Sequence, residues 1–208
     1  MSQLSLAFNN MEFKIENTQV FGIEKAIVAS GNSYRTIIRS EKELNEKDIL
    51  RAEKLGQVDP GTGHDTFLNA CLVTMDVTAP LYWWKQAQRY HWLEFVSSQS
   101  TMHCVLKFDL KNQCVDNVDE RIIDIINGLI SDYNKAKEYG DLEFADKLWY
   151  KIIACLPCGF CLSATMTTNY RQLKTICKQR KGHKLNEWKL FIDWCKQLPK
   201  FSNLTGIK

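Results

Sequence analysis

The chain has 208 residues, 45% apolar and 25% charged, the proportions of an ordinary globular protein. Its net charge of +3 is too small to argue for a nucleic-acid or membrane surface, and no apolar run approaches the roughly 18 residues of a spanning helix. The first eight residues lack the basic start and cleavage site of a secretory signal, so a cytoplasmic protein with reduced cysteines is expected. The length fits one domain over residues 1–208, able to bury roughly 70% of its unfolded surface.

Met11-Glu-Phe-Lys-Ile15 alternates apolar and charged residues and predicts a half-buried strand. Gly22 interrupts it, and Ile23–Ala29 leads to a turn cluster, Ser30-Gly31-Asn32-Ser33. Ser40 followed by Glu43 resembles a capping box, predicting a helix through about Leu55 that Gly56 stops. Asp59-Pro-Gly-Thr-Gly63 is a loop whose glycines lack the strand or GK[ST] pattern of a phosphate cradle. In His64-Asp65-Thr66, Asp65 or Thr66 is expected to cap the next segment, with His64 solvated. Cys71–Val77 predicts a strand, and Pro80 suits the first turn of the helix that follows.

That helix opens the most distinctive stretch, Leu81 to His103. Trp83, Trp84 and Trp92 surround Gln86, Arg89, Tyr90 and His91. A continuous helix would put Gln86, Arg89 and Tyr90 on one side. Ser97-Ser98-Gln99-Ser100-Thr101 then breaks the pattern and offers hydroxyls and N–H groups suited to an oxyanion or a polar heterocycle. A buried aromatic helix followed by a polar loop is the other reading. Cys104–Phe108 predicts a short strand.

The C-terminal half is helical. Ile122, Ile125, Ile126, Leu129, Ile130 and Tyr133 form a core stripe, and Asp141 starts a second helix with Leu142, Ala145, Leu148, Trp149 and Ile152 on its apolar face. It must stop near Leu156-Pro157. Thr167-Thr168 is expected to cap a third helix, placing Asn169 and Arg180 on one face about 16 Å apart. A final amphipathic helix runs from about Asn186 to Leu198. Cys155, Cys158 and Cys161 share a motif-like spacing, but no second CxxC or paired His/Cys knuckle completes a tetrahedral site, so no metal is assigned and the thiols read as small apolar packing groups. Lys178, Arg180, Lys181 and Lys184 make a modest basic cluster. The fold class is α+β, a central β-sheet with flanking helices.

The order and spacing of His64-Asp-Thr66, Ala79-Pro80, Lys85-Gln86, Arg89-Tyr-His91, Leu156-Pro157, Asn169 and Arg180 resemble the flavin-dependent thymidylate synthases. That family carries His-Glu-Thr, Ala-Pro, Arg-Gln, Arg-His-Arg, Leu-Pro, an Asn and a late Arg, and the match covers roughly residues 25–190. The resemblance implies a homotetramer with active sites between subunits and FAD as cofactor. It also implies methyl transfer to dUMP from methylenetetrahydrofolate, with NADPH regenerating the flavin. No enzyme nucleophile attacks the base, so the protein must position and polarise an electron-poor ring.

Carried over, Arg89, Tyr90, His91 and Asn169 would contact the flavin, with His64 and Thr66 near its ring and Ser30 a looser flavin contact. Gln86 would hold the nucleotide, and Arg180 would face the pyrimidine carbonyls and stabilise charge developing there. Ser97, Ser98, Gln99, Ser100 and Thr101 fall on the family's phosphate-gripping segment. The departures are specific: Tyr90-His91 replaces His-Arg, and the two phosphate arginines become Thr101 and Ile153. Lys151, two residues from Ile153, should point away. Charge-assisted bonds are each worth about 1.5–3 kcal/mol, so phosphate binding should weaken. The alternatives are therefore another pyrimidine nucleotide, with methyl or hydroxymethyl transfer, or a non-catalytic nucleotide-binding homologue.

Overall fold

The computed structural model describes residues 12–208; Met11, at the start of the first predicted strand, and the first eight residues, read above for a secretory signal, lie outside them. The elements run β1 (Lys14–Phe21), α1 (Ile23–Ala29), α2 (Glu46–Gly56), β2 (Leu72–Pro80), α3 (Leu81–Ala87), β3 (Glu94–Ser98), α4 (Thr101–Cys104) and α5 (Leu110–Gln113). Then follow α6 (Glu120–Glu138), α7 (Leu142–Cys155), β4 (Cys161–Asn169), α8 (Tyr170–Arg180), α9 (Asn186–Gln197) and α10 (Phe201–Thr205). The mixed class expected from sequence is what the chain builds. Its antiparallel sheet has the order β1-β2-β4-β3. Side chains fix the β2–β4 register, Thr165 Oγ1 donating to Asp76 Oδ1 at 2.6 Å and Thr167 Oγ1 to the Val73 carbonyl at 3.3 Å.

The chain divides into two compact units, each assembled from separate segments, so no single cut in the sequence parts them. One comprises described residues 12–13, 78–86 and 98–163. Its frame is the antiparallel pair α6 and α7, turned at Gly140 (φ +76°). Asp141 caps α7 by accepting from the Phe144 N–H at 3.0 Å. The apolar stripe of α6 is rotated from the expected one: Ile123 and Ile126 are buried, whereas Ile122 and Ile125 are exposed. Ile123, Ile126, Ile152 and Phe160 form the core with Val105 and Leu110, each fully buried side chain contributing about 1.5–3 kcal/mol. Cys104–Phe108 is not a strand. Ser100 O accepts from the Cys104 N–H at 3.0 Å, starting a helical turn that drops Val105 into this core.

The other unit comprises residues 14–77, 87–97 and 164–208 and holds most of the sheet. Its core includes Ile27, Leu68, Met75, Tyr170, Leu173, Trp188 and Phe191. Gly22 has φ +77°, and a Cβ there would meet the Ala70 carbonyl at 2.4 Å, which explains the glycine that separates β1 from α1. The Ser40–Glu43 capping box forms, but on a single 3-10 turn, Glu41–Glu43. The helix beyond has a second box, Asn45 with Asp48, and so starts at Glu46. Gly56 is required by packing, since a Cβ would collide with the Leu204 carbonyl of α10.

Cys71, Cys114, Cys161, Cys177 and Cys195 are buried packing groups. Burial pushes the Cys71 and Cys114 thiols up to about 12 and about 11, keeping them protonated. Cys155 and Cys158 are exposed and do not pack, a correction to the uniform reading. Among the described residues no helix is long and apolar enough to cross a membrane.

Candidate functional site

Helix α8 carries most of the candidate site. Thr167 and Thr168 remain in β4, and Asn169 is the N-cap, its Oδ1 accepting from the Gln172 N–H at 2.9 Å. The expected cap thus moves one or two residues on, because the threonines continue the ladder and Asn169 has the short amide that capping needs. Asn169 lines a pocket of about 560 Å³ with Arg171, Gln172 and Thr175 of α8, Asn69 of the 3-10 turn Thr66–Ala70, Leu72 at the start of β2, and Trp92. Trp92 has φ +68°, a left-handed conformation that costs an L-residue about 1–2 kcal/mol. Strain of this kind collects at ligand sites.

That turn also corrects the central helix. Helix α3 ends at Ala87, the Tyr90 N–H bonds Ala87 O at 3.0 Å, and the chain then turns into β3. Arg89 and Tyr90 therefore lie beyond the helix that holds Gln86, and the three do not form one helical face. Ser97 and Ser98 close β3, all five residues of which are exposed, instead of opening a loop. Arg89, Tyr90 and His91 line a second cavity of about 220 Å³ with Glu94 and Phe95.

Asp65 stands at the N-cap of the 3-10 turn Thr66–Ala70, but its side chain makes no cap bond. It is fully buried, its Oδ1 accepting from Arg171 Nε at 3.0 Å and its Oδ2 from Lys174 Nζ at 2.8 Å. Lys174 is also fully buried and donates to the Val58 carbonyl as well. Arg171 and Lys174 are three apart, so α8 presents both cations on one face to one carboxylate. Arg171 thereby enters the pocket with its guanidinium already oriented. Sequence reading missed it; the signal was the pairing of an internal acid in His64-Asp65-Thr66 with two cations at helical spacing. His64 and Thr66 are exposed, Thr66 Oγ1 donating to Gly63 O at 2.6 Å.

At the other end of α8, Arg180 Nε donates to Tyr90 Oη at 2.6 Å. Its guanidinium carbon lies 4.5 Å from the Trp188 ring centre and 5.2 Å from that of Tyr90. Tyr90 thus belongs both to the Arg89 cavity and to the seat of Arg180.

Ser30 is buried, donating to Ile27 O at 2.7 Å and accepting from Arg51 Nε at 3.3 Å. Arg51 belongs to a cluster in which buried Asp48 pairs with Arg35, Arg39 and Arg51. Burial raises the Asp48 carboxyl, but hydrogen bonds from Arg51 and the Asn45 N–H, with the charges of Arg39 and Arg51, outweigh it and hold Asp48 below its ordinary value. The stability this confers is complete above the unfolded carboxylate range near pH 4 and is lost as pH falls through the depressed folded value. Asp48→Asn is expected to cost about 2–3 kcal/mol at pH 7, less than the roughly 3–5 of a fully buried pair because the arginines are part-exposed. The urea midpoints of wild type and variant should converge as pH falls through that depressed folded value.

The phosphate-segment residues of the first unit have local roles. Gln99 continues the β3 edge, its N–H donating to Ser163 O and its Oε1 accepting from the Ser163 N–H, both at 2.9 Å. Ser100 starts α4 without a side-chain cap bond, and Thr101 is its first residue. Ile153 packs against the α6–α7 core, while Lys151 is exposed. Gln86 is half-buried in α3 of the same unit. Among the described residues no group of three or more His, Cys, Asp or Glu side chains is placed to hold a metal ion.

No family model and no curated protein matches the sequence. Solved structures do. The flavin-dependent thymidylate synthase ThyX from Helicobacter pylori, complexed with FAD and dUMP, superposes with a TM-score of 0.66 at 14% identity, over 94% of this chain and 97% of that one. A second structure of the same enzyme with both ligands, at 2.31 Å resolution, gives 0.65 at 14% identity over 94% and 96%. At this identity the likeness is one of fold, and it extends over nearly the whole of both chains.

Proposed function

We propose that this chain is a divergent flavin-dependent thymidylate synthase-like enzyme. In this reading it moves a one-carbon unit from methylenetetrahydrofolate to a pyrimidine deoxynucleotide, dUMP to dTMP, with FAD as resident cofactor and NADPH as reductant. The observation that carries it is the layout of α8. Asn169 and the oriented Arg171 stand at a pocket at its start, and Arg180 is held by aromatic rings at its end, within a fold whose solved neighbours bind FAD and dUMP.

The pocket's donor set suits a flavin nucleotide. A guanidinium fixed by a buried carboxylate answers an anionic group, Asn169 and Gln172 offer amides, and exposed Trp92 offers a ring face. FAD, when bound and reduced by NADPH, would supply the hydride for the base. The protein's own part is then to hold the pyrimidine and polarise its carbonyls, the role proposed for Arg180. One domain, assembly as a cytoplasmic homotetramer with sites between subunits, and flavin contacts from His64, Thr66, Arg89 and His91 belong to the same reading. The purified protein should be yellow or take up added FAD, with flavin absorbance near 450 nm; a colourless protein that ignores FAD overturns it.

A second reading has its own support. Thr101 is the first residue of α4 and Ile153 packs against an apolar core, so neither offers the cation that a phosphate would meet. The substrate is then a different pyrimidine nucleotide or a nucleoside, receiving a methyl or hydroxymethyl group. Thermal-shift comparison of dUMP, dCMP, deoxyuridine and folates separates the two, since stabilisation by dUMP alone favours the first.

A further inference from the structure

The resembled family has a histidine where Tyr90 stands, and here that residue reaches Arg180. Three contacts define the seat. Tyr90 Oη accepts from Arg180 Nε at 2.6 Å, the guanidinium carbon lies 4.5 Å from the ring centre of fully buried Trp188, and the two aromatic rings meet edge to face at 5.8 Å and 70°. Trp188 is itself fixed edge to face against Phe191 at 5.6 Å and His183 at 6.4 Å, and His183 Nδ1 accepts from the Leu185 N–H at 3.1 Å. The platform under the guanidinium is therefore rigid, while Tyr90 rides on the turn that also presents Arg89 and the strained Trp92.

We infer that Tyr90 is a positioning residue for Arg180. Its hydroxyl holds Nε and its ring, with that of Trp188, sets the guanidinium plane before a pyrimidine nucleotide arrives. This rests on the reading of Arg180 as the residue facing the pyrimidine, and it adds a group that contacts Arg180 without itself needing to touch the base. A guanidinium held in advance costs less ordering when ligand arrives than a freely rotating one.

The test is Tyr90→Phe, which keeps the ring and removes the hydroxyl. Two quantities are measured on the full chain: solvent exchange of the Arg180 Nε–H by NMR, assigned through its loss in Arg180→Lys, and the dUMP dissociation constant. Exchange should accelerate by about tenfold or more and dUMP binding weaken by about tenfold, the size expected for one lost hydrogen bond to a charged group. The melting temperature should stay within about 2 °C, separating positioning from global damage. An unchanged exchange rate overturns the inference, as does dUMP affinity within about twofold of a wild type that binds it. If wild type itself ignores dUMP, the functional reading fails separately. The exchange rate alone then decides, a faster one upholding the hold of Tyr90 on Arg180 and an unchanged one refuting it.

Discussion

Asp65→Ala is expected to cost about 3–5 kcal/mol of folding stability, read as a fall in the urea midpoint at constant slope. Asp65 and Lys174 are both fully buried, and Lys174 has only Asp65 and the Val58 carbonyl to answer its charge among the bonds described. Removing the carboxylate leaves an ammonium in a low-dielectric interior, where solvation lost on folding is no longer replaced. The effect depends on the unpaired charge more than on the value of the pair. Lys174→Met, which deletes the charge while nearly keeping the volume, should therefore cost less than Asp65→Ala. In the double variant Asp65→Leu with Lys174→Met much of the loss should return. Such a double variant should still take up flavin poorly, because Arg171 has lost the acceptor for its Nε–H. A double variant as unstable as Asp65→Ala would show that shape complementarity, not charge burial, dominates here.

The same residue illustrates how much of the site was legible in the chain. Amphipathic periodicity gave α6, α7 and α9, and Asp141 and Leu156-Pro157 bounded α7 near the observed ends, because spacing and capping are local. What failed was whatever depended on partners distant in sequence. Asp65 looks like a cap within its triplet, and its burial is visible only once Arg171 and Lys174, more than a hundred residues on, are folded against it. The predicted long helix through Tyr90 failed because Trp92 takes a left-handed turn that propensity disfavours and because β3 is drawn to the edge of β4. The Ser40 box was real but stopped after one turn, since Asn45 and Asp48 form a better one. Asn169 and Arg180 were found as residues, although the first is the cap of α8 and not part of its face. Of the motif residues that suggested the family, Asn169 and Arg180 fall at the two ends of α8.

Arg180→Ala is expected to lower turnover by about 10²–10³-fold while leaving flavin absorbance unchanged. The expectation rests on the separation built into α8. Eleven residues at about 1.5 Å each put Arg180 roughly 16 Å along the axis from Asn169, so truncating one end does not disturb the pocket at the other. A cation at a helix C-terminus is favoured by the dipole and here also by two aromatic faces, which keep the charge in place. Arg180→Lys should recover little of the activity, since an ammonium on a flexible stem neither stacks on Trp188 in the same plane nor offers two parallel donors. Product formation from dUMP is followed beside the 450 nm absorbance of the same preparation. Loss of flavin together with activity would mean that the two ends of α8 act as one site, and the division of roles between Asn169 and Arg180 would have to be withdrawn.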